Sequence, residues 1–271
     1  MAQDYALGHT DAEMRRLTTQ ATLIDPITRR FFEAAGLKAG MRVLDVGSGA
    51  GDVAVLVADI VGPGGEVLGT DISAVAVKAA EARTKSAGLK QIEFRQGDPA
   101  AMAFEAPFDA VVGRYVLQFI PDPHTALEKI ALHVKPGGIV VFHELDWGGA
   151  RSSPLVPTYE RVCKWISSTI EAAGARTRLG TGLAPLFEAA GLPPPSLRLE
   201  SVIASGPAAI DVVHLVTDLV EILMPSMEQF GVATKDEIGH ADLVGRIMVE
   251  IGTAGTLIGR AEVGAWTVKA G

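Results

Sequence analysis

Gly47, Gly49 and Gly51, at alternate positions in "VLDVGSGAGD", follow an apolar run that ends at Val46. Glycine loses more backbone freedom on folding than any other residue, so this cluster implies that something must lie against bare main chain. The spacing is G-x-G-x-G; the dinucleotide fingerprint G-x-G-x-x-G requires glycine at 52, where Asp52 stands. A carboxylate at a helix start fills the anion site with its own charge. The loop therefore suits a ligand without phosphates, and a cationic one in particular. Asp71 in "GTDIS" and Asp98 in "QGD" close the next two strand-like runs. Asp71 can accept two hydrogen bonds from the paired hydroxyls of a ribose, and Asp98 one from an exocyclic amine. Each feature alone is as readily a turn or a cap. In this order and spacing they describe a nucleoside site.

A second group with chemical potential is "HELDW", where His143, Glu144 and Asp146 lie near the end of an apolar run. Strand alternation sends His143 and Glu144 to opposite faces, so at most one of them points into a given part of a site. His143 reads either as a proton-transfer group or as a hydrogen-bonded core histidine. An ionised carboxylate within an apolar strand is costly unless paired, which favours Glu144 facing the site, in contact with Arg114 or with substrate. No H-x-x-x-H and no further carboxylate cluster is present, so no metal is expected.

The elements that must position these groups follow from periodicity. Strands are expected at 42–46, 66–71, 91–98, 108–115 and 138–145, with helices over 50–60, 73–88 and 122–134 between them. Ser73 caps the second of these helices and "KPGG" ends the third. Alternating strands and helices imply an α/β fold with a doubly wound, mostly parallel sheet. Beyond Trp147 the rhythm changes. Helices in "PLVPTYERVCKWISSTIEAAG", "TGLAPLFEAAGL", "AAIDVVHLVTDLVEILM" and "TKDEIGHADLVGRIMVEIG" are joined by a returning strand, "SLRLESVIA", and a closing strand, "AEVGAWTVKA". Trp147, Tyr159, Trp165 and Phe230 are candidates for an aromatic acceptor pocket, although aromatics at helical spacing more often fill cores.

"VLDVGSGAGD", "GTDIS", "QGDPAAM", "FDAVVGRYVLQFIPDP" and "VKPGGIVVFHELDW" resemble the successive motifs of class I S-adenosylmethionine-dependent methyltransferases, in the bacterial small-molecule subgroup. The resemblance implies a Rossmann-like core over residues 41–147, an N-terminal helical lid over 1–40, and over 148–271 helical cap insertions together with the last strands of the same seven-stranded, mostly parallel sheet. It also implies that Gly47, Ser48, Gly49 and Gly51 flank the methionine moiety while Asp45 holds the loop near its amino group. Asp71 would take the ribose hydroxyls, with Ile72 against the adenine and Ser73 beside it. Gly97, Asp98 and Pro99 would receive the adenine edge. Arg114 and Gln118 would line the floor near the reacting methyl, and Tyr5, His9 and Gln20 would close over the site from the lid. Glu144, His143 and Arg114 are the catalytic candidates. The implied reaction is in-line methyl transfer to a small molecule, an O- or N-methylation of a secondary metabolite or quinone-like ring, which leaves S-adenosylhomocysteine. Two alternatives share the cofactor: a non-methylating rearrangement, cyclisation or decarboxylation, and a non-catalytic cofactor-binding protein.

Composition sets the outer bounds. The 271 residues carry a formal net charge of −8 and no run of Lys or Arg, which argues against nucleic acid as a partner. A single cysteine, Cys163, excludes an intrachain disulfide and a cysteine-based zinc site, and its apolar surroundings mark it as a core residue. No apolar stretch suggests a signal peptide or a membrane span, so a soluble cytoplasmic protein is expected. The late amphipathic helices would suit a homodimer.

Overall fold

The computed structural model describes residues 11–271. A long helix, α1 (Asp11–Ala35), precedes β1 (Arg42–Val46), α2 (Asp52–Val61), β2 (Glu66–Asp71), α3 (Ala74–Ser86) and β3 (Ile92–Gln96). The chain continues through β4 (Phe108–Arg114), α4 (Pro123–Ala131), β5 (Val134–Asp146), β6 (Arg151–Ser153), α5 (Pro157–Ala172), α6 (Leu183–Ala189) and β7 (Ser196–Glu200). It ends with β8 (Ile203–Ser205), α7 (Ile210–Gln229), α8 (Lys235–Ile238), α9 (Leu243–Ile251), β9 (Thr256–Ile258) and β10 (Ala261–Val268). These elements form two compact units.

The first unit comprises residues 25–144, 179–199 and 262–271 and is built on a seven-stranded sheet of order β3-β2-β1-β4-β5-β10-β7. β1 pairs in parallel with β2 and β4, β2 with β3, and β4 with β5. β10 runs the other way: Lys269 N donates to Gly138 O, and at the far end Glu262 meets His143. The central strands read as near-continuous apolar runs because both faces are covered, and the core includes Val43, Leu44, Val111, Val112, Val140 and Val141. The chain leaves β1 toward β2 on one side and returns to β4 on the other. That reversal opens a crevice at the carboxyl ends of β1 and β4, where ligands of doubly wound sheets bind.

Local signals explain most of the boundaries in this unit. Ser73 Oγ accepts from Ala76 N at 3.3 Å and starts α3, and Asp122 accepts from Thr125 N to start α4. The "KPGG" stop was expected to separate helix from strand, but α4 ends earlier, at Ala131, and β5 already pairs at Val134 with Phe108. The glycines lie in an irregularity of the ladder before Ala110 pairs with Ile139.

The second unit takes residues 145–178 and 200–261 together with α1 as far as Ile24. It packs α5, α7 and α9 on one another and holds a three-stranded antiparallel sheet of order β6-β9-β8. Two expectations fail here. "SLRLESVIA" is not one strand: it supplies β7 to the large sheet and β8 to the small one, with a break at Ser201–Val202. "TKDEIGHADLVGRIMVEIG" is not one helix, because Gly239, in the left-handed region at φ 53°, closes α8 after one turn and α9 begins at Leu243. Tyr159 is fully buried with its hydroxyl donating to Ile258 O at 3.1 Å, which places it in the core rather than in a pocket wall. Cys163 is buried too, and burial pushes its thiol up to about 12, as suits an inert core residue. No helix among the described residues is long and apolar enough to cross a membrane.

Candidate active site

The glycine loop is clamped to β2. Asp71 Oδ2 accepts from Gly49 N at 2.9 Å, Asp71 Oδ1 from Ser73 N at 2.8 Å, and Ser48 N donates to Thr70 O at 2.9 Å. Each oxygen of Asp71 thus holds one backbone N–H and keeps a lone pair for a further donor. The glycines differ in what they permit. A Cβ on Gly47 would lie 2.5 Å from Val116 Cγ2, and one on Gly51 would lie 3.0 Å from the Phe94 ring, so both glycines admit other parts of the protein. A Cβ on Gly49 would meet nothing within 4 Å. Of the three glycines, only Gly49 leaves a cradle open to a ligand.

Asp45 lies on β1 just below this loop, fully buried, and neither carboxylate oxygen has a hydrogen-bond partner; Ser48 Oγ also lacks one. Burial raises the Asp45 pKa well above the usual carboxylate range, and the Arg114 charge opposes that shift. A buried carboxylate of this kind is stable as the neutral acid or beside a cation. Next to Asp71, Ile72 is 66% exposed, an apolar side chain standing free at a strand end. Gly97 N donates to Asp71 O at 2.8 Å, and exposed Asp98 accepts from Ala100 N at 2.9 Å, so the turn after β3 lies beside the turn after β2. Pro99 is buried, and its carbonyl accepts from His133 Nε2 at 2.8 Å. His133, without a visible role in the sequence, thus pins that turn.

The other side of the crevice is a chain of buried and half-buried polar groups. Arg114 pairs in register with His143, so their side chains share a face of the sheet, and Glu144 points to the opposite face. For that reason the expected contact between Glu144 and Arg114 does not form. Glu144, fully buried, instead accepts at Oε1 from Val116 N at 2.9 Å and Leu117 N at 2.7 Å, fixing the short 3-10 turn Leu117–Phe119 that contains buried Gln118. Burial raises its pKa to about 8, against the pull of those amides. Arg114 turns toward α1, where Nη1 donates to Asp25 Oδ1 at 2.6 Å and to Thr28 Oγ1 at 3.1 Å. Thr28 Oγ1 also lies 3.1 Å from His143 Nδ1, and His143 Nε2 lies 2.9 Å from Glu262 Oε2. Tyr115 Oη donates to the same Glu262 oxygen at 2.5 Å.

Asp25, Thr28, Tyr115 and Glu262 were not among the residues singled out from sequence. A signal for Glu262 exists: it is the one charged residue inside the apolar strand "AEVGAWTV", the argument applied to Glu144. Gln20 lies on α1 and is buried, in the second unit; Tyr5 and His9 lie outside the described residues. No cluster of three or more metal-ligating side chains occurs among the described residues.

A model of the methyltransferase domain matches residues 37–191, more than half of the chain. A demethylmenaquinone methyltransferase of Lactococcus lactis is 38% identical over 123 residues, 45% of this chain and 46% of that protein. A ubiquinone biosynthesis O-methyltransferase of Paracidovorax citrulli is 34% identical over 125 residues, 45% of this chain and 51% of that protein. The match therefore spans about half the length of these curated relatives. Among solved structures, a putative methyltransferase of Bacillus halodurans superposes with a TM-score of 0.58 at 18% identity, over 89% of this chain and 98% of that one, which shows the shared fold. The matched segment contains the glycine loop, Asp71, Asp98 and the turn after β4, and the chain belongs to the methyltransferase-domain family, with its class I seven-stranded fold.

Proposed function

We propose that the protein transfers a methyl group from S-adenosylmethionine to a small-molecule acceptor. One observation carries the reading: a glycine loop clamped by Asp71 and open at Gly49 lies above Asp45, a buried carboxylate without a partner. This donor and acceptor set fits the cofactor. Asp45 and Ser48 offer unused polar atoms near the place of a charged amino acid moiety. The free lone pairs of Asp71 suit two ribose hydroxyls, exposed Ile72 offers an apolar face for a purine, and Asp98 takes an amine at its edge. When bound, the cofactor supplies a methyl group on a cationic sulfur, an electrophile that needs alignment more than activation. The residues of the chain hold that group, exclude water and accept a proton where the acceptor releases one. Arg114 does not serve as a floor for the methyl in this reading, since its guanidinium is committed to Asp25 and Thr28.

An O–H or N–H acceptor on a quinone-like ring or secondary metabolite accords with the names of the relatives, and the net charge of −8 accords with an acceptor that is not nucleic acid. The N-terminal helix as lid, the region after Trp147 as cap, and a cytoplasmic homodimer belong to the same proposal. The test is incubation with methyl-labelled S-adenosylmethionine and a small-metabolite extract, followed by chromatography. Label in a new small-molecule peak supports the reading and gives the mass of the acceptor. Saturable cofactor binding without label in any product overturns methyl transfer, and a metabolite consumed without label points to non-methylating chemistry.

A further inference from the structure

Pro99 is the point at which the turn after β3 is held from outside. A proline has no backbone N–H, so its carbonyl is the one main-chain hydrogen-bonding group that it offers. That carbonyl accepts from His133 Nε2 at 2.8 Å, although the two residues lie 34 positions apart. The neighbouring hydrogen bonds are internal to the turn: Ala100 N donates to Asp98 Oδ1 and Ala101 N to Asp98 O, each at 2.9 Å. Among the described residues, His133 thus gives residues 98–105 their one hydrogen bond from another element.

His133 is itself firmly held. It lies between α4 and β5, and its main chain is tied at both groups, its N–H to Ile130 O at 3.1 Å and its carbonyl to Phe108 N at 2.8 Å. Its ring stands edge-on to Phe104 with centroids 4.7 Å apart, and Phe104 stands edge-on to Phe108 at 5.1 Å. A carbonyl only accepts, so Nε2 carries the hydrogen. From the held carbonyl back to Asp98 the chain has little freedom. The proline ring locks φ of residue 99, and the residue before a proline is biased toward extended backbone. Fixing the Pro99 carbonyl therefore fixes the direction of Asp98. Asp98 is exposed, and Gly97 N ties the start of its turn to Asp71 O at 2.8 Å.

We infer that His133 is a positioning residue for the cofactor: by holding the Pro99 carbonyl it keeps Asp98 directed at the exocyclic amine of adenine, and so sets the preference for a purine that carries that amine. The inference rests on the methyltransferase reading above, with Asp98 at the edge of the base. His133 makes or breaks no covalent bond in this role; its part is to hold one carbonyl. A hydrogen bond from the amine to a carboxylate is charge-assisted, and it weakens steeply with angle and distance, so a turn that swings away forfeits it. The rest of the cofactor site is held elsewhere. Asp71 is bonded to Gly49 and Ser73, and Asp45 lies on β1, so neither depends on His133. Loss of the His133 donor should therefore be felt at the amine alone, an effect that a general loss of structure does not imitate.

The test compares S-adenosylhomocysteine with its 6-deamino analogue, in which a hydrogen replaces the amine of the purine. Calorimetry on the wild-type protein is expected to show a preference of about tenfold for the ligand that carries the amine. Asp98→Ala should abolish that preference. So should His133→Phe and His133→Leu, which both remove the donor, the first keeping a ring against Phe104. Affinity for the 6-deamino analogue should stay within about threefold of wild type in all three variants. His133→Gln, whose side-chain amide brings an N–H to nearly the same place, should keep the preference. A preference that survives in His133→Phe or His133→Leu overturns the inference. Equal losses for the two ligands overturn it as well, and so does failure of both donorless variants to fold, since either result marks a structural role. No preference in the wild type, or one that survives Asp98→Ala, removes Asp98 from the amine and the inference with it. A wild-type protein that binds neither ligand overturns the methyltransferase reading instead, and that is seen before any His133 variant is measured.

Discussion

The two sides of the crevice are held together in different ways. On the β1–β3 side, Asp71 meets Gly49 across 22 residues and Ser73 across 2. On the β4–β10 side, Arg114 meets Asp25 across 89 residues, His143 meets Glu262 across 119, and Tyr115 meets Glu262 across 147. The first side is a set of turns that each carry their own chemistry. The second exists only when α1, β4, β5 and β10 have all docked. A ligand loop can thus be local and tolerant, whereas a polar chain built from distant elements is cooperative and intolerant, and the substitutions below should separate the two.

The largest effect is expected at Arg114. Its side chain is 4% exposed and that of Asp25 is 29% exposed. Arg114→Met removes the cation that Asp25 and Thr28 share, and breaking a buried pair from one side costs about 3–5 kcal/mol. The partial exposure of Asp25 lowers the expectation to about 2–4 kcal/mol. Urea unfolding measures it, and a change under about 1 kcal/mol would mean that the long-range side is no more cooperative than the local one.

The glycine loop offers an internal control. Gly47→Ala puts a methyl group 2.5 Å from Val116 Cγ2 at a φ of 66°, and the overlap plus the strained backbone should cost about 2–3 kcal/mol of stability. Gly49→Ala meets no neighbour, so the strain of its left-handed conformation alone, about 1 kcal/mol, should appear in unfolding. Cofactor affinity should nevertheless fall more than tenfold for Gly49→Ala, because the methyl group occupies the open cradle. Equal stability losses for the two variants, or full affinity in Gly49→Ala, would remove the distinction between packing and ligand glycines.

The same contrast explains what could be read in advance. The first five strands, the cap at Ser73 and the carboxylates at Asp71 and Asp98 each leave a signal within a few residues of themselves. The helix at 234–252 was misread because the apolar period continues through Gly239, and only the positive φ of that glycine breaks it. "SLRLESVIA" was misread because strand propensity does not say which sheet a strand joins. Glu144 was correctly sensed as needing partners, but its partners are the Val116 and Leu117 amides, main-chain groups that residue identity does not announce. Glu262 and Tyr115 meet only through tertiary structure, and no spacing in the sequence relates them.

At Asp71, on the local side, a binding loss should accompany a stability loss of about 1 kcal/mol, because an amide serves only one of the two backbone N–H groups that the carboxylate holds. Asp71→Asn keeps an oxygen for one backbone amide but loses the charge that strengthens the ribose contacts. Removal of charge-assisted hydrogen bonds predicts a loss of about 1.5–3 kcal/mol in cofactor affinity, roughly ten- to 150-fold in Kd. Calorimetry with S-adenosylmethionine reads this directly, and an unchanged Kd would displace the ribose from Asp71.

The smallest effect is a pH dependence, and its sign follows from the buried, unpartnered state of Asp45. In the free protein its pKa is raised well above the ordinary value by desolvation. A cationic amino group bound beside it favours the anion and draws that pKa down, so below the free-state value the protein must release a proton in order to bind. Affinity should then rise with pH, by at most about tenfold per pH unit, and level off once Asp45 is ionised in the free protein. Above about pH 8 it should fall again as an α-amino group loses its charge. Calorimetry in two buffers of different ionisation enthalpy counts the protons released. Asp45→Asn should abolish both the release and the rising limb while leaving the fall at high pH, because only the protein's carboxyl group has been removed. A flat profile in the wild type would mean that Asp45 stays protonated with cofactor bound, and that its place beneath the glycine loop serves the fold alone.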